Sequence, residues 1–222
     1  MNLKLKSLAL ATVLSLATVG AASAGPLWEF TTAGNSFNNN NWDFATAFSV
    51  TSDLTATGLG YYADPFNGQV HNNPVGLFEC ANADCSTTAT LIASAIVDNT
   101  NPLTGHFRYV TIAPVLLQAG KSYEVAGVSF GNNYTWNDAG FNTDANISLI
   151  QLTSQVGRWN VDADGLPTFL NFGQDDISGQ DGFWGPNVFT GQPTFVPEPA
   201  TLGLLGLGLV GVARRFRKQT AR

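Results

Sequence analysis

The loop Asn160-Val161-Asp162-Ala163-Asp164-Gly165 sets one carboxamide and two carboxylates at alternate positions ahead of a glycine. Oxygens at positions 1, 3 and 5 with glycine at 6 are what a calcium loop uses to wrap a hard cation and turn sharply. Position 12 is Asn171 rather than the bidentate glutamate, and no flanking helices are evident, so calcium at Asn160, Asp162 and Asp164 competes with a solvated Asp-Gly turn. Asp175, Asp176 and Asp181 form a second acidic group open to a cation. No other cofactor is expected. Carbohydrate recognition needs different chemistry, with aromatic faces stacked on the sugar and carboxamides or carboxylates beside its hydroxyls. Tyr134, Trp136, Trp159 and Trp184 supply rings, and Asn132, Asn133, Asn137 and Asp138 supply polar groups. The same rings equally serve to fill a core or cover its ends.

Nucleophilic catalysis finds little support. The only bases of the right kind are His71 and His106, and no G-x-S-x-G surrounds a serine. The chain therefore reads as noncatalytic. The rival is a secreted polysaccharide-active enzyme using Asp162, Asp164, Asp175 or Asp176, whose mark would be two carboxyls ~5 to 9 Å apart in a groove. Cys80 and Cys85, the chain's two cysteines, have four residues between them. A local disulfide clamping one loop is expected in an exported chain. Zinc would need four ligands and has only two histidines to complete the set.

The elements that must position these residues read as strands. Residues 25–195 fit one domain, with no fixed-period repeat. "FATAFSV" puts Phe44, Thr46, Phe48 and Val50 on one side of an extended segment and Ala45, Ala47 and Ser49 on the other, a period of two. Further strands are expected at 54–62, 74–79, 89–97, 106–112, 122–130 and 146–152, separated by turns rich in Gly, Asn, Asp and Pro. Short strands without a convincing long helix point to an all-β, antiparallel β-sandwich of jelly-roll type. Pro114 lacks the N–H a central ladder needs and belongs at a strand end or sheet edge. Gly58 and Gly60 allow a bulge or close packing beneath Tyr61 and Tyr62.

The two ends differ from this body. Lys4 and Lys6 precede an apolar run from Leu8 to Gly20, then Ala22-Ser23-Ala24. That is the plan of a signal peptide over residues 1–24, a signal helix cut after Ala24 by signal peptidase. At the other end, residues 196–222 hold Pro197-Glu198-Pro199, an uncharged segment over 200–213, and the basic residues Arg214, Arg215, Arg217 and Lys218. A helix over 200–213 would be ~21 Å long, short of the ~30 Å hydrocarbon core, and spans if its arginines snorkel or the bilayer thins. A permanently anchored membrane protein is the rival to a processed one. Seven of the ten basic residues lie at the ends, so residues 25–213 carry three basic and sixteen acidic residues, a charge of 3 minus 16, or −13. Such a body repels phosphates, and nucleic acid is excluded as a partner.

The tail "VPEPATLGLLGLGLVGVARRFRK" resembles the PEP-CTERM sorting signal of exported proteins in Gram-negative bacteria. The resemblance implies recognition and processing by an exosortase, a short transmembrane helix, and export across the inner membrane to the cell surface or extracellular matrix. It also implies association with exopolysaccharide and biofilm. Through "TATGLGYY", "VGLFE" and "HFRYVTIAPVLLQAGKSY", residues 42–160 are similar to an uncharacterised β-sandwich domain found before such tails, which implies a fold and no activity.

Overall fold

The computed structural model describes residues 24–37, 40–63, 72–136, 138–151, 157–162, 164–171 and 183–191. The expected signal helix, the membrane segment at 200–213, the sorting residues Pro197, Glu198 and Pro199 and the basic residues from Arg214 to Lys218 lie outside them. So do His71, Asn137, Asp175, Asp176 and Asp181. Among the described residues the regular structure is fifteen strands, with no helix long and apolar enough to cross a membrane.

Two antiparallel sheets carry the body. The first has the order β1 (Gly25–Pro26), β15 (Pro186–Thr190), β5 (Leu54–Tyr62), β9 (Phe107–Leu117) and β8 (Leu103–Thr104). The second runs β13 (Ile147–Leu149), β4 (Trp42–Val50), β10 (Ser122–Val128), β6 (Asn73–Cys80) and β7 (Ala89–Val97), with β14 (Gly157–Val161) also on β4. Two small pairs complete the set: β11 (Tyr134–Trp136) with β3 (Asn35–Phe37), and β12 (Asn142–Thr143) with β2 (Trp28–Glu29). Leaving out the short additions, the long strands and β1 alternate between sheets so that chain-adjacent strands sit in different layers or at one edge, the winding of a jelly roll.

Period-two patterning explains the layers. In β4, Phe48 and Val50 enter the core between the sheets with Leu54, Leu59 and Tyr61 of β5, Leu77 of β6, Tyr123 and Val125 of β10, and Val188 of β15. Ala45 points the other way and packs with Ala126, Phe78 and Leu170. The outer face of the second sheet is therefore also covered over β4, β6 and β10 by residues 164–171. Leu170 N–H donates to Glu124 Oε1 (2.8 Å), Phe169 lies 6.1 Å from Phe78, and the Pro167 ring crowds the place a Gly76 side chain would take.

Pro114 does not end a strand. It sits inside β9, where the β5–β9 register jumps from Ala56↔Val115 to Gly58↔Thr111, and this bulge removes the need for its N–H. Gly60, paired with Tyr109 further along the same two strands, is required by packing, because the Tyr109 ring fills the place of its Cβ.

Candidate functional site

Three of the four rings expected to bind sugar meet at the Trp42 end of β4. The register of β14 on β4 places Trp159 opposite Phe44 and Val161 opposite Trp42, so Trp159 stands against the Trp42 ring, centroids 5.0 Å apart and nearly perpendicular. Tyr134 and Trp136 arrive on β11 and stack at 5.7 Å. Phe183 bridges the two halves, 5.7 Å from Tyr134, 5.9 Å from Trp136 and 6.4 Å from Trp159. Phe44, Tyr134 and Phe183 are buried at the base, while Trp42, Trp136 and Trp159 remain half-exposed around them. Trp42 and Phe183 belong to this cluster and were not singled out in the sequence. For Trp42 a signal existed, since it precedes "FATAFSV" on the face of Phe44.

Trp184 lies elsewhere. It is 1 % exposed in the main core, with Phe141 stacked at 4.5 Å and Trp28 at 5.7 Å. Two of the polar companions are likewise engaged in the fold. Asn132 donates to Asn73 Oδ1 at 2.5 Å, and Asp138 Oδ1 accepts from Gly34 N–H at 2.6 Å and Thr135 Oγ1 at 2.7 Å.

One residue along β4 the side chain faces the opposite surface. Asp43 is 3 % exposed and its Oδ1 has no hydrogen-bond partner among the described residues. Burial first, then the charges of Asp162 and Asp164, push its carboxyl up to about 7, against hydrogen bonds from Thr168. The calcium-loop residues close a turn: Asp162 Oδ1 accepts from Gly165 N–H (2.8 Å) and Asp164 N–H (3.3 Å), Asp164 Oδ1 from Leu166 N–H (3.0 Å), and Asn160 Oδ1 from Val161 N–H (2.9 Å). Gly165 takes φ +73°, which a side chain would resist. Among the described residues no three His, Cys, Asp or Glu side chains gather as a metal set.

Cys80 and Cys85 form the expected disulfide. The loop it closes has a partner absent from the sequence reading. Arg158 on β14 is fully buried, and its Nη1 donates to Glu124 Oε2 (2.6 Å), Cys85 O (2.7 Å) and Leu170 O (2.8 Å), while Nη2 donates to Asp84 O (2.9 Å). Burial raises the Glu124 carboxyl and the guanidinium opposes it. His106 holds its Nδ1 2.7 Å from Glu29 Oε1 and its ring 4.4 Å from Phe30. A carboxylate and a phenyl ring here hold a loop, with Gly105 at φ +58° leaving space for Glu29.

The body is thus an all-β, antiparallel sandwich with one disulfide and a cluster of half-exposed tryptophans. Residues 195–218 match the family model of the PEP-CTERM protein-sorting motif, so this is a chain that carries that motif behind its β-sandwich. The motif indicates export and cell-surface localisation in bacteria, and it implies exosortase processing and membrane anchoring. No curated protein and no solved structure matches the chain.

Proposed function

We propose that this chain is a noncatalytic polysaccharide-binding protein of a Gram-negative surface or matrix, exported by residues 1–24 and delivered through its exosortase tail. The observation that carries the binding half is the convergence of Trp42, Trp136 and Trp159 on one rim over Phe44, Tyr134 and Phe183. Half-exposed indoles offer flat apolar faces, and their packing at the base fixes them before a ligand arrives, so little side-chain entropy is lost on binding. The tail supports the location, because it delivers the body to where secreted polysaccharide is found.

The test is tryptophan-fluorescence titration of the protein with secreted bacterial polysaccharides, with calcium and with chelator. Trp159→Ala and Trp136→Ala are each expected to weaken binding roughly tenfold, the ~1.4 kcal/mol that one lost ring contact is worth. A drop on chelation alone would give Asn160, Asp162 and Asp164 a part as calcium ligands. Unchanged affinity in both variants, or release of new reducing ends from the polysaccharide, would overturn the reading.

A further inference from the structure

The side of the sandwich formed by β7 and β9 combines uncharged strands with exposed apolar side chains. These two strands pack across the core at the same margin. No charged residue occurs between Ser86 and Val97, or between Tyr109 and Gly120. Of the seven large hydrophobic residues exposed among the described residues, four lie on β7, β8 and β9: Leu91, Ile96, Leu103 and Leu116, each at least half exposed. Among the described residues β7 pairs with β6 alone, leaving the outer N–H and C=O groups of a nine-residue strand at the sheet margin. Exposed edges of this length are ordinarily blunted by lysine, proline or strong bulging, because they template pairing with another chain. β7 has one bulge, between Leu91 and Ala93, and neither proline nor charge.

We propose that β7 is a self-association edge, at which two copies of this chain pair their β7 strands antiparallel and join their second sheets into one. The charge distribution selects a second copy as the occupant. A basic partner would be drawn to acidic side chains, and β7 carries none. A like-charged partner approaches at least electrostatic cost where charge is absent, and β7, which has no charged residue, offers such an edge with its hydrogen-bonding groups open. An antiparallel pairing of identical strands is self-complementary about a two-fold axis, so it closes at two copies. Leu91 and Ile96, on the outer face of the strand, then cover their counterparts across the new junction. The Trp42 cluster is not involved, so the proposal stands independently of polysaccharide binding.

The test uses the full chain in mild detergent, with Ser94→Cys introduced near the middle of β7. Both native cysteines are held in the disulfide, so the new thiol is the only one. With the two β7 strands in full overlap residue 94 faces residue 92 of the other copy, so the two new thiols lie about two positions, ~7 Å along the strand, apart, and a short bis-maleimide linker is expected to yield a covalent dimer. Thr51→Cys, on the exposed turn after β4, is expected to give little. Adding Leu91→Lys and Ile96→Lys is expected to abolish the cross-link while leaving the melting curve in place. Raising salt from about 0.05 to 0.5 M, which shortens the screening length roughly threefold, is expected to tighten the dimer measured by sedimentation, since like charges are screened. Equal cross-linking at residues 51 and 94, persistence in the lysine variant, weakening by salt, or a monomer up to about 100 µM would each overturn it.

Discussion

Asp43 is the most perturbed acid of the described chain for which a clear pH consequence follows. In an unfolded chain an aspartate titrates near 3.9, whereas burial and the neighbouring Asp162 and Asp164 hold Asp43 at about 7. Between those values the folded state binds more protons than the unfolded one. Stability from this group is therefore fully present below about pH 4 and declines as pH rises through 7. The full linkage of ~4 kcal/mol is an upper figure, because only one segment of chain separates Asp43 from solvent; about half, ~2 kcal/mol, is expected. Asp43→Asn removes the charge and keeps the shape. Its melting temperature is expected to match the parent near pH 4 and exceed it by roughly 4 to 8 °C at pH 8. Parallel curves for the two proteins from pH 4 to 8 would show that Asp43 is not the group responsible. None of this was legible in the sequence, where Asp43 is one polar residue in an alternating strand. Its partners arrive from a segment about 120 residues later, and the turn chemistry of that segment hid them behind a calcium-loop pattern.

At the scale of elements, the outer layer of the second sheet depends on Arg158 in a way the strand alone does not. Glu124 is buried beneath Leu170, and Arg158 joins it to the disulfide loop through the carbonyls of Asp84 and Cys85. Arg158→Ala is expected to cost ~3 to 5 kcal/mol in urea unfolding, since it leaves a buried carboxylate and several carbonyls without their donor. Arg158→Met with Glu124→Leu removes both charges, yet it leaves the Asp84, Cys85 and Leu170 carbonyls unsatisfied. It is expected to recover less than half of that loss, and full recovery would show that the carbonyl bonds carry no weight. Cys80→Ser with Cys85→Ser opens a loop of six residues, for which closure entropy alone is worth ~2 kcal/mol. Its loss is expected to be larger than that, and to shrink towards ~2 kcal/mol in the Arg158→Met background, because the same loop presents two of the guanidinium's acceptors. β5 and β7 were legible to the residue because their alternation and turn residues are local. β15 and the 164–171 cover were not. β15 is five residues long and pairs with β1 and β5, 120 or more positions away, so its register is set by tertiary partners rather than by pattern. The aromatic site was legible as a list of rings, and the structure supplied the grouping: Tyr134, Trp136 and Trp159 together, Trp184 apart.

For the whole molecule the governing feature is the segregation of charge. The chain has a formal charge of −6, but seven of its ten basic residues lie in the first six and last nine positions. Positive charge flanking an apolar segment resists transfer across a membrane, so the proposed delivery predicts that the five basic residues after position 213 stay on the cytoplasmic side while the acidic body is exported. A proline fixes its own φ and disfavours the helical region for the residue before it, which is the reason the sequence offers for testing Glu198 between its two prolines as part of the processing signal. Mass spectrometry of the protein from the cell surface is expected to find Gly25 at the N-terminus and no peptide containing Arg214 or Arg222. Isoelectric focusing is expected to place that form more acidic than the precursor's pI of about 4.6, since cleavage removes seven positive charges and at most one negative. In Glu198→Ala the precursor with Arg222 intact is expected to accumulate in the membrane fraction. Arg222 intact on the parent's surface form would mean a retained anchor, and normal processing of the variant would mean that the enzyme reads the prolines and the apolar run without the carboxylate between them.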